Sequence, residues 1–295
     1  MKKYILTRKK GLSMLNAEET IIKYEKYLRK NEKSESTIYT YMWTIKNYYQ
    51  IFGTLNKTNL ILYKESLMLK NSPKTVSSRI IAINGYLDFV KKKELKLRNI
   101  KIGQENYLDN VISNKDYQHL KKMLKKSGYT RDYFLVWLIC ATGSRISEAL
   151  RFTVNDVEQG YLGLYGKGNK YRRIYIPSKL QKELLKWLEE EGIQAGSIFL
   201  NKNKVTISAR GVEANLRNYA RKFNVNPKDC HPHSFRHRFA LNFLANYKIV
   251  NQYSQAGAIA DLANILGHSS IATTQIYLRR TLSEQRDMVN KVVTW

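Results

Sequence analysis

Acidic residues are scarce in this chain of 295 residues, where 24 Asp and Glu stand against 51 Lys and Arg and give a net charge of +27 at pH 7. The positive excess runs along the whole sequence and is not confined to one tail. A compact protein this basic repels itself unless a polyanion is near, and neutralising phosphates releases counterions that drive binding. The composition therefore favours a nucleic-acid partner, with a ribosomal or merely lysine-rich protein as the alternative.

Cysteine is almost absent, and no apolar run is long enough to cross a membrane. The two cysteines, Cys140 and Cys230, have no Cys or His at zinc-finger spacing, so we expect buried free thiols in a reducing compartment. The basic start MKKYILTRKKGLSML lacks the apolar core of a signal peptide. These absences predict a cytoplasmic protein with no membrane segment and no zinc site.

Helical periodicity with clear start signals dominates the first hundred residues, which predict a small four-helix bundle. In NAEETIIKYEKYLRK we expect Asn16 at the N-cap and an apolar face of Ile21, Ile22, Tyr24 and Leu28. The next predicted helix follows a serine cap and ends at a glycine, and a later one has the motif Ser-Pro at its start, where proline is best tolerated.

The periodicity changes twice further along the chain. It is lost in NIKIGQENYLDNVI, which predicts a linker, and in GYLGLYGKGNKYRRIYIP two β-rich runs flank a Gly-Asn turn, which predicts a hairpin. Helical patterns surround that hairpin. The predicted divisions are a basic segment 1–13, a helical domain 14–98, a linker 99–112, a mixed domain 113–280 and an amphipathic tail 281–295.

Four short motifs follow one another in the mixed domain: ATGSRISEAL, YGKGNKYRR, HPHSFRHRFA and LGHSSIATTQIYLRR. They contain six polar residues suited to chemistry, namely Arg145, Lys167, His233, Arg236, His268 and Tyr277.

This set of residue types suits phosphoryl transfer without a metal. Two arginines can bind the non-bridging oxygens of a phosphodiester and stabilise a pentavalent transition state. A tyrosine phenol can attack phosphorus and form an ester, while a histidine takes its proton and a lysine protonates the leaving oxygen. No acidic cluster suited to magnesium lies near the motifs, so we expect neither a metal nor a cofactor.

Each residue also has an ordinary structural interpretation. Arg145 could pair locally with Glu148, Lys167 could be a solvated turn residue, and His233 could be a satisfied structural histidine. The histidine and tyrosine of the last motif could be a helix cap and a core residue. The occurrence of all four motifs in this order, in a strongly basic chain, favours the chemical interpretation.

The four motifs resemble those of tyrosine recombinases, a family that includes phage integrases, Xer-like resolvases and transposon-encoded integrases. The family's TG-x-R-x-S-E corresponds to Arg145, its hairpin GKG to Lys167, its H-x-x-R-H to His233, Arg236 and His237, its LGH to His268, and its tyrosine nine residues later to Tyr277. In H-x-x-R-H the first two are the catalytic ones. The resemblance covers about the whole chain and implies a mainly α fold, with a four-helix DNA-clamping domain before an α+β catalytic domain.

One departure from the family pattern lies between the third and fourth motifs, where the chain is longer than usual. We place the extra residues at YKIVNQYSQ, Tyr247–Gln255, and expect them to lengthen a helix end or a loop. Two further histidines, His119 and His231, match nothing catalytic and are interpreted as structural or solvated.

The resemblance implies a mechanism in which Tyr277 attacks the scissile phosphate and forms a 3′-phosphotyrosine. Arg145 and Arg236 would bind the non-bridging oxygens, Lys167 would protonate the leaving 5′ oxygen, and His233 would accept the tyrosine proton. His268 would donate a hydrogen bond to the phosphate. Glu148 and His237 would orient these catalytic residues without contacting the phosphate themselves.

The resemblance also implies double-stranded DNA with paired half-sites as the partner and a homotetramer on that DNA, in which strands are exchanged through a Holliday junction. A monomer or dimer is left open for the free protein, as are accessory proteins. We expect the apolar tail to dock on a neighbouring protomer, with docking on its own domain as the alternative. The start MKKYILTRKK is too short for an arm-binding domain, which favours a simple-site recombinase, an invertase or resolvase, or a small integrase of a mobile element.

Two rival functions remain at the level of sequence. A type IB topoisomerase uses similar chemistry as a monomer to relax supercoils, and a DNA-binding protein could keep the fold without cleaving. The filled set of six chemical positions argues against the second. The sequence does not choose between integration, excision, inversion and resolution.

Overall fold

The computed structural model describes residues 13–103, 110–165, 171–250, 255–268 and 270–278, without side-chain detail for 13–16, 248–250 and 255. The chain forms two compact units, Met1–Gln104 and Glu105–Trp295. No helix in the described ranges is both long and apolar enough to cross a membrane.

Unit 1 is built from four helices that pack around a core of aliphatic and tyrosine side chains. Ser34, Asn56 and Ser72 accept a backbone N–H at the starts of the second, third and fourth helices, so local capping sets where each begins. Pro73 occupies the first turn of the fourth, as the sequence predicts. The helices are α1 Ser13–Lys30, α2 Glu35–Phe52, α3 Lys57–Lys70 and α4 Pro73–Phe89, followed by a 3₁₀ turn Lys93–Leu95.

Two details of the α1 prediction are wrong. The helix begins at Ser13, so Asn16 lies inside it and is not the N-cap. Ile22 is 56% exposed, while Ile21, Tyr24 and Leu28 are buried as expected. Ile21 and Ile22 are adjacent and point about 100° apart on a helix, so one apolar stripe takes one of them and leaves the other outside.

Unit 2 carries a larger core around α6, a helix whose side chains are buried on nearly every side. Its elements are α5 Asn114–Lys126, α6 Thr130–Thr142, α7 Ile146–Ala149, α8 Val154–Gln159, β1 Tyr161–Tyr165, β2 Tyr171–Tyr175, α9 Ser178–Glu190, α10 Ala209–Lys222, α11 Pro232–Val250, α12 Gln255–Leu266, α13 Ile271–Gln275 and a 3₁₀ turn Ile276–Leu278. The expected fold class, mainly helical with a small β-hairpin, is confirmed.

The strands β1 and β2 pair in antiparallel register, with Leu162 opposite Ile174 and Leu164 opposite Arg172. The two leucines and the isoleucine are buried, so these pairs form the inner face of the hairpin. Tyr161 and Arg173 belong to the outer face. The predicted turn between the strands, 166–170, lies outside the described residues.

The ends of the predicted linker attach to different cores. Ile100 packs against the core of unit 1, whereas Ile112 is fully buried in the core of unit 2. The backbone N–H of Ile112 donates to Ser234 Oγ of α11 at 2.7 Å. Ser234 is buried, and its own N–H donates to His231 Nδ1 at 3.2 Å, so His231 caps the start of α11.

The extra segment between the third and fourth motifs lengthens α11, which continues to Val250. Tyr247, near that helix end, donates its hydroxyl proton to the carboxylate of Asp261 on α12. Residues 251–254 lie outside the described ranges. The remaining predicted histidine, His119, contacts the carbonyl oxygen of Phe223 at 2.9 Å, which is a structural role.

Candidate active site

Arg145 follows the sharp end of α6 and stands at the N-cap of α7. The turn depends on Gly143, which has φ +66° and could carry no Cβ, because that atom would lie 2.4 Å from the ring of Phe239. The Arg145 backbone N–H donates to Glu148 Oε2 at 2.8 Å, and its Nη1 donates to Glu148 Oε1 at 2.9 Å. The local ion pair between Arg145 and Glu148 is present, as the structural interpretation predicts, but 43% of the Arg145 side chain is exposed.

Arg236 extends from α11 into the interior and is 1% exposed. Its Nη1 donates to the Gly143 carbonyl oxygen at 2.7 Å and its Nη2 to the Leu266 carbonyl oxygen at 2.9 Å. Burial lowers the pKa of the Arg236 guanidinium to about 10, and the charge of Arg145 adds to that effect. The group still carries its charge at pH 7 in a fixed orientation.

The C-terminal end of α12 holds the arginines together. Helix ends leave carbonyl groups without helical partners and carry a partial negative charge. Arg236 donates to Leu266, Arg145 donates more weakly to the carbonyls of Leu266 and Gly267 at 3.4 and 3.5 Å, and Arg172 of β2 donates to that of Ile265 at 2.8 Å. Three guanidinium groups from three elements therefore converge on one helix end.

Glu148 is the carboxylate within this arginine cluster. Its Oε1 also accepts from Arg172 Nη2, and its Oε2 lies 3.9 Å from Arg236 Nη1. Burial raises the pKa of the Glu148 carboxyl, but the Arg145 backbone N–H and the charge of Arg172 outweigh it, so the pKa lies below its ordinary value. With three guanidinium groups against one carboxylate, the described cluster keeps an excess of positive charge suited to an anion.

His268 continues directly from α12 and faces the buried arginine. Its Nε2 lies 3.0 Å from Arg236 Nη2 and its Nδ1 lies 2.7 Å from Thr274 Oγ1. Burial, with the charges of Arg236 and Arg145, lowers the pKa of His268 to about 4, so the ring is neutral at pH 7. A guanidinium can only donate, so Nε2 accepts and the ring proton sits on Nδ1, where it is donated to Thr274.

Tyr277 lies in the 3₁₀ turn after α13 and is 4% exposed. Its hydroxyl is 2.9 Å from Nδ1 of His237. Burial raises the pKa of the Tyr277 phenol, and the charge of Arg236 opposes that rise. The tyrosine thus belongs to a small apolar core, as its structural interpretation predicts. Its hydroxyl also contacts His237 and is affected by the charge of Arg236.

The histidine within hydrogen-bond distance of the Tyr277 hydroxyl is His237. His233, assigned by resemblance as the proton acceptor, is exposed, and its ring centroid lies 4.3 Å from that of His237. The two histidines are one turn apart on α11, and the later one is directed into the core toward the 3₁₀ turn. Burial, with the charge of His233, lowers the pKa of His237 to about 3, so its ring is neutral and can accept the phenol proton.

Five of the six predicted catalytic positions lie in the described residues. Arg145, Arg236 and His268 are linked by the contacts given above, and Tyr277 contacts His237 and is affected by the charge of Arg236. His233 flanks that group through its ring contact with His237. The sixth, Lys167, lies outside the described residues. Its two flanking strands form the predicted hairpin.

Arg172 is the residue of this cluster that the motif analysis missed. The signal was available in the strand alternation, since Arg172 shares its parity with the buried Ile174 and not with the outward Arg173. An arginine at an inward position of a half-buried strand needs an acceptor, and here it has two.

Comparison with known proteins decides the family. Residues 110–284 match the model of the phage integrase family.

The chain belongs to the phage integrase family, the tyrosine recombinases. The expectation drawn from the four motifs is thereby confirmed. The match covers the whole described part of the mixed domain, including the arginine cluster and the tyrosine.

Two relatives of this tyrosine recombinase match it over different lengths. Tyrosine recombinase XerA of Pyrococcus furiosus is 27% identical over 282 residues, covering 92% of this chain and 93% of the relative. Tyrosine recombinase XerD of Staphylococcus epidermidis is 31% identical over 174 residues, which is 56% of this chain and 55% of the relative. The chain is similar to both.

Solved structures share the fold of this tyrosine recombinase. The site-specific recombinase XerH bound to its difH substrate has a TM-score of 0.68 at 17% identity, covering 98% of this chain and 99% of that one. A lambda integrase tetramer bound to a Holliday junction has a TM-score of 0.68 at 14% identity, covering 98% of this chain and 84% of that one. At these identities the likeness concerns the fold.

Proposed function

We propose that this tyrosine recombinase is a site-specific DNA recombinase that cleaves and rejoins strands through a 3′-phosphotyrosine intermediate. The observation that carries the proposal is the position of the Tyr277 hydroxyl, 2.9 Å from a neutral imidazole and under the charges of Arg236 and Arg145. A phenol placed beside an anion-binding cluster and a base can act as a nucleophile toward phosphorus. A tyrosine kept only for packing has no need of the arginines.

The cleavage step joins the Tyr277 phenol oxygen to phosphorus and breaks the bond from phosphorus to the 5′ oxygen. The phenol proton passes to an imidazole, and Lys167 supplies a proton to the departing 5′ oxygen. In the second step the 5′ hydroxyl of a partner strand attacks the phosphotyrosine and releases the tyrosine. The ester conserves the energy of the phosphodiester, so neither ATP nor a metal is consumed in the scheme.

The two catalytic arginines would bind the phosphate in different ways: Arg236 is held in place, and Arg145 can move. Arg236 is buried and held by two carbonyl oxygens at 2.7 and 2.9 Å, so it offers a preset donor. Arg145 is partly exposed and its contacts to α12 are 3.4 and 3.5 Å long, so it can turn toward a phosphate at little cost. His268 would join them by donating to the phosphate once its Nε2 carries a proton.

We assign the hydrogen bond with the phenol to His237. His233, which the resemblance implies as the proton acceptor, lies beside it with the two ring centroids 4.3 Å apart. Complete transfer to His237 before attack is unfavourable. Burial lowers the pKa of the His237 ring to about 3 and raises the pKa of the Tyr277 phenol above its ordinary value, so the proton stays on the phenol before attack. The proton must therefore leave as the oxygen attacks, or after a bound phosphate has raised the pKa of the histidines.

The assembly follows from the chemistry of exchange, which needs four protomers around two DNA sites. We propose double-stranded DNA with paired half-sites as substrate, a DNA-clamping role for 14–98, and docking of the tail 281–295 on a neighbouring protomer. The tail lies outside the described residues. We further propose that the protein acts in the cytoplasm in the recombination of a mobile element. Accessory proteins take part where the element requires them.

Covalent trapping tests the proposed function. The purified protein is incubated with sheared genomic DNA of the source organism and denatured, and the DNA bonded to protein is sequenced. We expect adducts clustered at paired inverted repeats, their loss with Tyr277→Phe, and their retention with Tyr175→Phe, a change at an exposed hairpin tyrosine. Supercoil relaxation without site preference would point to the topoisomerase alternative, and tight binding without adducts would point to a non-cleaving DNA-binding protein.

A further inference from the structure

Arg172 occupies an inward position of β2, where its neighbours on the same face are apolar. Its cross-strand partner is Leu164, and the next inward residue on its own strand is Ile174. Only 18% of the Arg172 side chain is exposed. An arginine in such a place has lost most of its water and is stable only with firm acceptors.

The acceptors of Arg172 are both parts of the candidate active site. Its Nη1 donates to the Ile265 carbonyl oxygen at 2.8 Å, and its Nη2 donates to Glu148 Oε1. The backbone leaves room for the guanidinium, because a Cβ on Gly267 would lie 2.6 Å from its Cζ. Gly267 immediately precedes His268, so the arginine lies against the turn that carries that histidine.

We propose that Arg172 is a positioning residue that keeps Glu148 paired while Arg145 engages the scissile phosphate. The proposal rests on the recombinase function given above. Arg172 itself need not touch the phosphate. It acts through the carboxylate that it shares with Arg145.

The pairing of Glu148 explains why a second arginine is needed. Oε1 accepts from both Arg145 and Arg172, while Arg236 remains 3.9 Å from the carboxylate. Without Arg172, the Arg145 side chain would be the one guanidinium within hydrogen-bond distance of the carboxylate in the described cluster. Turning Arg145 toward a phosphate would then leave a mostly buried carboxylate facing an anion, with only the Arg145 backbone N–H at hydrogen-bond distance in the described cluster, which is unfavourable.

The consequence is a competition for Arg145 between Glu148 and the phosphate. With Arg172 in place, the carboxylate keeps a strong partner and Arg145 can leave. Without Arg172, Glu148 holds Arg145 back, so the cleavage rate falls while protomer binding to DNA is little affected. Neutralising the carboxylate should then release Arg145 again.

Four variants test this coupling: Arg172→Gln, Arg172→Lys, Glu148→Gln and the double variant Arg172→Gln/Glu148→Gln. The substrate is a nicked duplex carrying the site recovered by trapping, at saturating protein, and the readouts are the rate of covalent adduct formation and the DNA dissociation constant. Arg173→Gln is the matched control, because it removes the same charge from the adjacent residue on the outer face of β2.

We expect Arg172→Gln to slow adduct formation about 10- to 100-fold with the dissociation constant changed less than about 3-fold, the range typical for loss of a supporting partner. Lysine, a single point donor, should restore part of the rate. The double variant should be faster than Arg172→Gln, because an uncharged amide in place of the Glu148 carboxylate no longer retains Arg145. Rescue of the rate by the Glu148→Gln change is a response that a purely structural role of Arg172 would not produce.

Three outcomes would overturn the proposal: a full rate in Arg172→Gln, a double variant as slow as the product of the two single effects, or equal loss in Arg173→Gln. Thermal unfolding of each variant separates these outcomes from misfolding, and Arg172→Lys provides a charged variant if the glutamine variant does not fold. Failure of the recombinase function itself is distinguishable, since the unaltered protein would then form no adduct at all.

Discussion

The Tyr277 hydroxyl lies 2.9 Å from Nδ1 of His237, not of His233, although both histidines belong to the same motif. The resemblance implies a catalytic role for His233 and a supporting role for His237, and it is the second of these that contacts the phenol. His237→Phe should therefore remove the hydrogen bond of the phenol, and His233→Phe should leave it in place.

The contact between Tyr277 and His237 predicts that the His237→Phe and His233→Phe variants differ in stability. In His237→Phe the Tyr277 hydroxyl loses its partner inside a mostly apolar core, which should destabilise the fold by about 1–3 kcal/mol. His233→Phe should destabilise it less, since that side chain is exposed. Urea unfolding of the two variants provides the comparison. Equal losses in the free energy of unfolding would mean that the hydrogen bond between Tyr277 and His237 does not stabilise the fold.

The buried histidines predict a dependence of stability on pH. Folding lowers the pKa of His237 to about 3 and that of His268 to about 4, whereas the unfolded chain has the ordinary value near 6.5. Between those values the unfolded chain binds protons that the folded chain does not. Stability should thus be complete above about pH 7 and decline on acidification by up to roughly 1.4 kcal/mol per pH unit for each histidine.

Urea unfolding at several pH values between 4 and 7.5 measures this slope. His268→Gln should reduce the slope of the free energy of unfolding against pH by the contribution of about one proton, because the glutamine does not titrate. An unchanged slope in that variant would show that folding leaves the pKa of His268 unshifted, contrary to the lowered pKa expected from its burial and its contact with Arg236.

Gly267 and Arg172 should be energetically coupled. Gly267→Ala introduces strain at φ +65° and pushes a Cβ into the Arg172 guanidinium, so its cost in free energy of unfolding should exceed the roughly 1–2 kcal/mol of the backbone strain. Gly192→Ala is a matched control, with φ +67° and no atom within 4 Å of the added Cβ. In an Arg172→Ala background the extra cost of Gly267→Ala should vanish. Additive effects would place Arg172 elsewhere in solution.

The two thiols should be unreactive in the folded protein. Both cysteines are free and buried, and burial raises the pKa of Cys140 to about 11 and that of Cys230 to about 12. The thiolate is the reactive species, so iodoacetamide at pH 8 should label neither residue until urea unfolds the chain. Rapid labelling of one cysteine under native conditions would identify a local opening of unit 2.

Much of the fold was predictable because its signals are local. Ser34, Ser72 and Pro73 mark helix starts through contacts within one turn, and these predictions are confirmed. The prediction failed at Ile22, where two adjacent apolar residues compete for one buried stripe and only tertiary packing decides between them. The prediction of Asn16 as the N-cap also failed, because a residue type that caps helices well can also lie within a helix.

The candidate site was predictable as a set of residue types but not as a set of contacts. Arg145 and Glu148 pair within one turn, so the sequence suffices for them. Whether His233 or His237 meets the tyrosine depends on how α11 faces the turn after α13, forty positions along the chain. Arg172 belongs to no recognised chemical position, and only strand parity combined with the end of α12 gives it a role.

The central claim is that Tyr277 is the nucleophile, and peptide mapping of the covalent adduct tests it most directly. The protein is reacted with a nicked duplex carrying its site, digested with protease and nuclease, and analysed by mass spectrometry. We predict a nucleotide attached through its 3′ phosphate to the peptide containing Tyr277, and none with Tyr277→Phe. A nucleotide on another residue, or adduct formation that persists in Tyr277→Phe, would contradict the account.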